Sequence, residues 1–254
     1  MGAAIATVIA QLVSTILVIL ALMKSEGPLH FSFRQLTFDL SIVKDIIKIG
    51  LPAAIESVLY SLSNLLIAWR INDFGVDVIA ANTAYGKIDA IFWMALQAFN
   101  ISITTFVGQN YGAQKMDRVK KGINRWLLLA LGVSLSLSLI MCLFAPNLLS
   151  IFNSDAEVIK IGQNIIMWIA PFWFTYVPVE IIAGGLRGMG NTLIPTIITA
   201  LGIILVRLAW ILFMNDLSLG MVFSIYPISW SITSVVFMIY YYSGLYKRHV
   251  RVLA

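Results

Sequence analysis

Residues 76–107 read VDVIAANTAYGKIDAIFWMALQAFNISITTFV, an apolar run that carries polar side chains at regular intervals. A transmembrane helix needs about 20 residues, and this run has about 32, so it predicts a spanning helix that tilts or bends. Offsets of three or four residues place the polar positions on one helix face. These positions are Asn82, Gly86, Asp89, Trp93, Gln97, Asn100 and Thr104. A polar face on a membrane helix is turned toward protein or water.

The composition of the whole chain predicts a membrane protein. Of 254 residues, 60% are hydrophobic and only 11% are charged, against roughly 25% charged in soluble domains. Lipid offers backbone groups no partner, and barrel-type alternation is absent, so the apolar runs predict helices. Six further runs cover residues 3–23, 49–71, 126–145, 161–182, 195–214 and 217–242. The predicted fold class is all-α, a polytopic transmembrane helical bundle of about seven spans in a lipid bilayer.

The pattern divides the chain into three parts. Residues 1–24 predict a first transmembrane helix, and residues 49–254 predict a six-helix transmembrane lobe. Between them, residues 25–48 predict a cytoplasmic linker with a short interfacial helix, because apolar residues from Leu40 to Ile49 recur at helical spacing opposite Lys44, Asp45 and Lys48.

The distribution of charge predicts the orientation. Lys and Arg cluster after the first and third runs and in the tail, whereas acidic residues dominate the connections after the second, fourth and sixth runs. The positive-inside rule then predicts a multi-pass plasma membrane protein with its N-terminus outside and its C-terminus in the cytoplasm.

Three carboxylates lie inside predicted spans, where each costs roughly 2.5 to 3.5 kcal/mol on insertion scales. For Glu56, ion binding and a salt bridge to Lys87 both stay open. For Asp89, both ion coupling and a purely structural role stay open. For Glu180, the favoured reading is a structural bridge to Arg187, seven residues later on the same helix face. In the second span Tyr60, Ser63 and Asn64 continue the polar face of Glu56.

The reactive side chains argue against an enzyme. His30 and His249 lie outside the predicted spans, and Cys142 lies in an apolar run. No HExxH or GxSxG motif occurs, and no Ser/His/Asp set can be assembled in one layer. The sequence therefore predicts no catalytic residue, no metal centre and no cofactor. The basic runs lack interleaved aromatic residues, so no nucleic acid partner is expected.

Four stretches in the same order resemble the multidrug and toxic compound extrusion (MATE) family. They are GAAIATVIAQ at 2–11, VIAANTAYGKID at 78–89, VGQNYGAQKMDRVKKG at 107–122, and GGLRGMGNTLIPTIITALGIILVRLAW at 184–210. The resemblance covers essentially the whole chain, as the last helix of a first lobe and a complete second lobe. It implies antiport of drugs or organic cations coupled to Na+ or H+, without ATP hydrolysis.

The resemblance also implies roles for individual residues. An ion-coupling acid is expected in the first helix of this lobe, where Glu56 lies, with Asp89 and Glu180 as further candidates. Cavity and substrate contacts are expected from Tyr60, Asn64, Asn82, Trp93, Gln97 and Asn100. Gly108, Gln109, Asn110, Gly112 and Arg187 match helix-ending signatures. We expect those glycines to let the chain leave the membrane tightly, while Gln109 and Asn110 satisfy backbone groups.

The family pattern holds five more spans, so half of the expected cavity is absent. We expect the chain to be a fragment of a longer product whose N-terminal lobe is its partner; pairing with a separate half and self-association stay open. A lipid-linked sugar flippase or polysaccharide exporter of the related superfamily is the alternative transporter. A non-transporting membrane subunit or receptor is the alternative of another class.

Overall fold

The structure, a computed structural model, describes residues 2–26, 30–33, 37–213 and 218–248. The predicted linker residues 27–29 and 34–36, the predicted span ends at 214 and 217, and His249 lie outside them. The chain forms two compact units, Met1–Ile47 and Lys48–Ala254, and each is described by itself.

The first unit contains helix α1, Gly2–Lys24, and the start of helix α2, Leu40–Asn72. Asp39 precedes α2, and its Oδ1 accepts the Ser41 backbone N–H at 2.7 Å. Hydrogen bonds from the Ser41 side chain and backbone lower the pKa of Asp39 below its ordinary value. The predicted interfacial helix is not separate, because α2 continues through Pro52 to Asn72. Membrane helices tolerate an internal proline when neighbouring groups satisfy the freed carbonyl.

The second unit holds the rest of the helices. They are α3 Val76–Gly112, α4 Met116–Leu143, α5 Ala145–Ser150, α6 Ala156–Ile169, α7 Val177–Gly188, α8 Leu193–Thr199, α9 Val206–Phe213 and α10 Leu219–Tyr242. Six helical segments of the described chain are long and apolar enough to cross a membrane, and α6 with α7 makes a seventh if the bent pair is one span. The predicted all-α transmembrane bundle is confirmed.

Two predicted spans are interrupted. A 3₁₀ turn, Ala170–Thr175, joins α6 to α7, and the pair bends by 41°. Pro171 and Pro178 each lack a backbone N–H, which accounts for a break at this point. The buried Ser138 hydroxyl of α4 donates to the Ala170 carbonyl at 2.7 Å, so a neighbouring helix bonds to the backbone at this break. A π-helical turn, Ala200–Leu205, joins α8 to α9.

Helix α3 lies at the centre of the second unit and packs against α4, α6 and α7. Its closest approach is to α7, where glycines face it: a Cβ added to Gly188 would lie 2.6 Å from the Thr104 carbonyl oxygen. Gly108 of α3 faces the Gly188 carbonyl, at 3.5 Å from an added Cβ. Small residues let membrane helices approach closely.

The signature glycines do not make the turns that follow the two helices. Gly108 lies inside α3 and Gly112 is its last residue, and the turn after that helix is made by Gln114, whose φ is 59°. After α7 the turn is made by Gly190, with φ 80°. The Asn110 side chain does contact the backbone, because its Nδ2 donates to the Phe106 carbonyl at 2.7 Å.

Candidate functional site

A cavity of about 860 Å³ opens in the second unit among α2, α3, α7 and α10. All six predicted cavity residues line it: Tyr60, Asn64, Asn82, Trp93, Gln97 and Asn100. The three predicted carboxylates, Glu56, Asp89 and Glu180, line it as well. Thr104 of the predicted polar face does not, because its hydroxyl donates to the carbonyls of Asn100 and Gly184 at 2.8 and 3.0 Å.

Glu56 is held by two helices beyond its own. Nη2 of Arg187, from the end of α7, lies 3.2 Å from each carboxylate oxygen, and the Thr196 hydroxyl of α8 donates to Oε2 at 2.9 Å. The side chains of Glu56 and Arg187 are only 15% and 28% exposed. A partner at Lys87 is therefore wrong. The charge of Glu56 is balanced by the guanidinium of Arg187.

Glu180 lies in the first turn of α7 and is hydrogen-bonded to a side chain of α3. Asn100 Nδ2 donates to the Glu180 carboxylate and also, at 3.2 Å, to its backbone carbonyl. The expected bridge from Glu180 to Arg187 is wrong, since Arg187 pairs with Glu56. Seven residues of helix separate the two α7 residues by about 10.5 Å along the axis, so two turns on one face do not bring their charges together.

The Asp89 carboxylate accepts its hydrogen bonds from side chains of its own helix, α3. Its two carboxylate oxygens accept the Tyr85 hydroxyl at 3.0 Å and the Trp93 Nε1–H at 2.7 Å, one turn before and one turn after it. Both donors are neutral. Asp89 therefore brings a negative charge to the cavity that no cation neutralises among the described residues.

Arg207 of α9 is fully buried behind the cavity wall. Its Nε donates to Ser229 at 3.2 Å and its Nη1 to Asn64 at 3.1 Å, while the guanidinium lies 4.5 Å from the Tyr226 ring centre and 5.2 Å from that of Tyr60. Nη2 has no partner within the described part of the chain. The signal in the sequence is that Arg207 is the one arginine of the predicted span 195–214, with no polar periodicity around it.

Aromatic side chains form the remaining wall. Trp93 lies edge-on to Tyr176 at 5.0 Å and to Trp230 at 5.9 Å between ring centres. Tyr226 and Trp230 of α10 both line the cavity, and sequence reasoning missed them because no polar periodicity marks that helix. The cavity therefore has carboxylates beside aromatic rings, of which Trp93 and Tyr226 are partly exposed while Tyr176 and Trp230 are buried.

The site has no metal-binding cluster in the described ranges, where no three His, Cys, Asp or Glu side chains converge. Its acidic members approach the cavity from separate helices, α2, α3 and α7. Such an arrangement can bind a monovalent cation or a proton.

Comparison with known proteins identifies the family. A family model described as MatE matches residues 52–213. This chain belongs to the MATE family. The resemblance inferred from the four sequence motifs is thereby confirmed.

Two curated relatives show the extent of the match. The probable multidrug resistance protein NorM of Thermotoga maritima is 30% identical over 209 residues, covering 82% of this chain and 44% of that protein. The probable multidrug resistance protein YoeA of Bacillus subtilis is 26% identical over 205 residues, covering 80% of this chain and 44% of that protein. The chain thus spans slightly less than half the length of these MATE relatives.

A solved structure agrees in fold. The crystal structure of MATE in complex with MaL6 superposes with a TM-score of 0.86 at 16% identity, and the match covers 97% of this chain and 57% of that one. The shared architecture is a multi-pass membrane bundle.

Proposed function

We propose that this chain is the C-terminal part of a cation-coupled MATE antiporter that exports drugs or organic cations. The observation that carries the proposal is the convergence of Glu56, Asp89 and Glu180 on one aromatic-lined cavity. A buried carboxylate in a membrane protein is costly and marks an ion or substrate pathway. Supporting this, the curated relatives are named multidrug resistance proteins.

The coupling step follows from competition for the same negative charges. Na+ or H+ at Glu56 neutralises the carboxylate and releases Arg187, whose guanidinium then faces the cavity. A positive charge there, together with an occupied acid, disfavours an organic cation. The substrate and the coupling ion therefore exclude each other, which is the requirement for antiport.

Transport also needs a second bundle, because alternating access moves two bundles about a site between them. An N-terminal lobe is the proposed partner, supplied by the same polypeptide or by a separate one. The proposed location is the plasma membrane, with the N-terminus outside and the C-terminus cytoplasmic, following the basic connections.

The charges around the cavity disfavour the flippase alternative. A lipid-linked pyrophosphate would require several free cations, yet among the described lining residues only Arg187 is basic, and it is paired with Glu56. Lys87 is exposed and does not line the cavity.

Ethidium accumulation tests the proposal. Cells that make this chain together with an N-terminal MATE lobe are expected to accumulate less ethidium than cells making either part alone. Collapsing the Na+ gradient or the proton gradient separately identifies the coupling ion, because only one treatment should abolish export.

Two Glu→Gln substitutions, one in the cavity and one outside it, make the test specific to Glu56. Glu56→Gln should abolish export, whereas Glu157→Gln, in the exposed first turn of α6, should leave it unchanged. Absence of export from the assembled protein, or unchanged export in Glu56→Gln, contradicts the antiporter and favours a non-transporting subunit.

A further inference from the structure

A groove of about 310 Å³ runs between α3 and α4, away from the central cavity. Its lining is Phe106, Arg118, Lys121, Gly122, Arg125, Trp126 and Leu129. The volume falls in the range of about 300 to 1,000 Å³ typical of small-ligand sites. The transport reaction proposed above uses none of these residues.

One end of the groove is strongly basic. Arg118, Lys121 and Arg125 are spaced by three and four residues, so they share one face of α4, and all three are exposed. Within the described chain none of them forms an ion pair with a carboxylate. Asp117, the acid in the first turn of α4, does not line the groove. The three charges are therefore available to an external anion.

The other end is apolar and aromatic. Trp126 lies one turn after Gly122 and Leu129 one turn after Arg125 on α4, and Trp126 packs edge-on against Phe99 at 5.7 Å. The floor is the ring of Phe106, which contacts the position that a Cβ on Gly122 would occupy. Any larger residue at position 122 would overlap this ring.

The position of α4 places this polarity change at the membrane boundary. The helix has 28 residues, or ~42 Å, against a hydrocarbon core of ~30 Å. Because charged side chains are costly in the hydrocarbon core, we expect the excess length to lie at the basic N-terminal end, in the headgroup layer, with Leu129 deeper. Tryptophan is enriched at this boundary.

We infer that the groove is a binding site for an anionic glycerophospholipid. The phosphate lies among Arg118, Lys121 and Arg125, and the upper part of one acyl chain lies over Phe106 and Leu129. Basic pockets between transmembrane helices bind such headgroups. A lipid matches both ends of the groove, whereas a soluble phosphate matches only the basic end.

Native mass spectrometry of the purified full chain in detergent tests the site. The probe is dioleoylphosphatidylglycerol, compared with the neutral dioleoylphosphatidylcholine. The wild-type chain should retain the anionic lipid preferentially. The triple variant R118Q/K121Q/R125Q should bind it about tenfold or more weakly, since each basic residue near an anionic headgroup contributes measurably.

A matched variant separates this site from general charge. K115Q/K120Q/K160Q removes the same three charges from exposed residues that do not line the groove, and it should retain the lipid. The acyl contact is tested by Leu129→Asn against Leu128→Asn, a neighbour that is 71% exposed and outside the groove. Only Leu129→Asn should weaken lipid binding.

Four results would overturn the inference. They are equal retention of both lipids, equal loss in the two triple variants, no loss in Leu129→Asn, and displacement of the lipid by an equal concentration of glycerophosphate. The last result would indicate a soluble phosphate as the ligand. None of these results depends on transport, so the lipid site and the antiporter can fail independently.

Discussion

Arg187 and Glu56 are 131 residues apart in the sequence, yet Arg187 Nη2 lies 3.2 Å from both carboxylate oxygens of Glu56. The pair joins α7 to α2 at the edge of the cavity, and Thr196 adds a bond from α8. In the antiporter proposed above, a cation that neutralises Glu56 would weaken this ion pair. Ion binding would therefore change a contact between α2 and α7.

The first prediction concerns the free energy of unfolding contributed by this pair. Arg187→Gln leaves the Glu56 carboxylate partly buried with only Thr196, and we expect it to lower stability by about 2 kcal/mol. The double variant Glu56→Gln/Arg187→Gln has no unpaired charge and should be more stable than Arg187→Gln alone. Thermal unfolding in detergent of the wild type, the two single variants and the double variant checks this order. If the two single substitutions lowered stability additively in the double variant, the prediction would be contradicted.

The second prediction ranks two substitutions of Arg207. Lysine keeps the buried charge but cannot reach both Ser229 and Asn64 or stack on Tyr226, whereas methionine removes the charge at similar volume. We expect Arg207→Met to be more stable than Arg207→Lys by about 1 to 3 kcal/mol. Ser229 keeps its bond to the Tyr226 carbonyl at 3.0 Å in either variant. A lysine variant closer to wild type in thermal unfolding would refute the argument.

The third prediction concerns the close approach of α7 to α3. Gly188→Ala places a methyl group 2.6 Å from the Thr104 carbonyl, so it should destabilise the protein by about 1 to 3 kcal/mol. Gly132→Ala on the exposed face of α4 meets nothing within 4 Å and should be neutral or stabilising by up to about 1 kcal/mol. Comparison of melting temperatures tests this, and equal effects would show that the two helices can separate freely.

The fourth prediction concerns the break between α6 and α7. Ser138→Ala removes the donor to the Ala170 carbonyl and should cost about 1 kcal/mol. Ser136→Ala removes only an exposed bond to Gly132 on its own helix and should cost almost nothing. If the two variants have the same unfolding temperature, the carbonyl at the break does not depend on α4.

The local features of this fold were predictable from the sequence. Apolar length indicates spanning helices because lipid enforces internal hydrogen bonding. A period of 3.6 residues indicates which side chains share a face, and this rule placed Asn82, Gln97 and Asn100 on one wall. Both rules act within a single helix and need no knowledge of its neighbours.

Contacts between helices were not predictable in the same way. The sequence shows that Glu56, Glu180 and Arg187 lie in or near predicted spans, but it does not show which helix faces meet. For this reason the bridge left open between Glu56 and Lys87 and the favoured bridge between Glu180 and Arg187 both differ from the observed pair. The same limit applies to the glycines of α7, whose role depends on α3. Tyr226 and Trp230 were missed because an apolar helix gives no local sign of which side borders a cavity.

The central claim is that the polar face of α3 lines a wet passage, and cysteine labelling tests it most directly. In a Cys142→Ser background, cysteine is placed at Gln97, which lines the cavity, or at Ile91, which is 57% exposed, does not line the cavity and lies on a different face of the same helix. A charged maleimide reacts only with a thiol that water can reach and ionise.

Both variants are labelled in native membranes opened by freeze and thaw, with denatured protein as the measure of full reactivity. The account predicts rapid labelling of Gln97→Cys and almost none of Ile91→Cys, because it expects Ile91, on the face away from the cavity, to be covered by acyl chains. Unreactive Gln97→Cys, or faster labelling of Ile91→Cys, would contradict it.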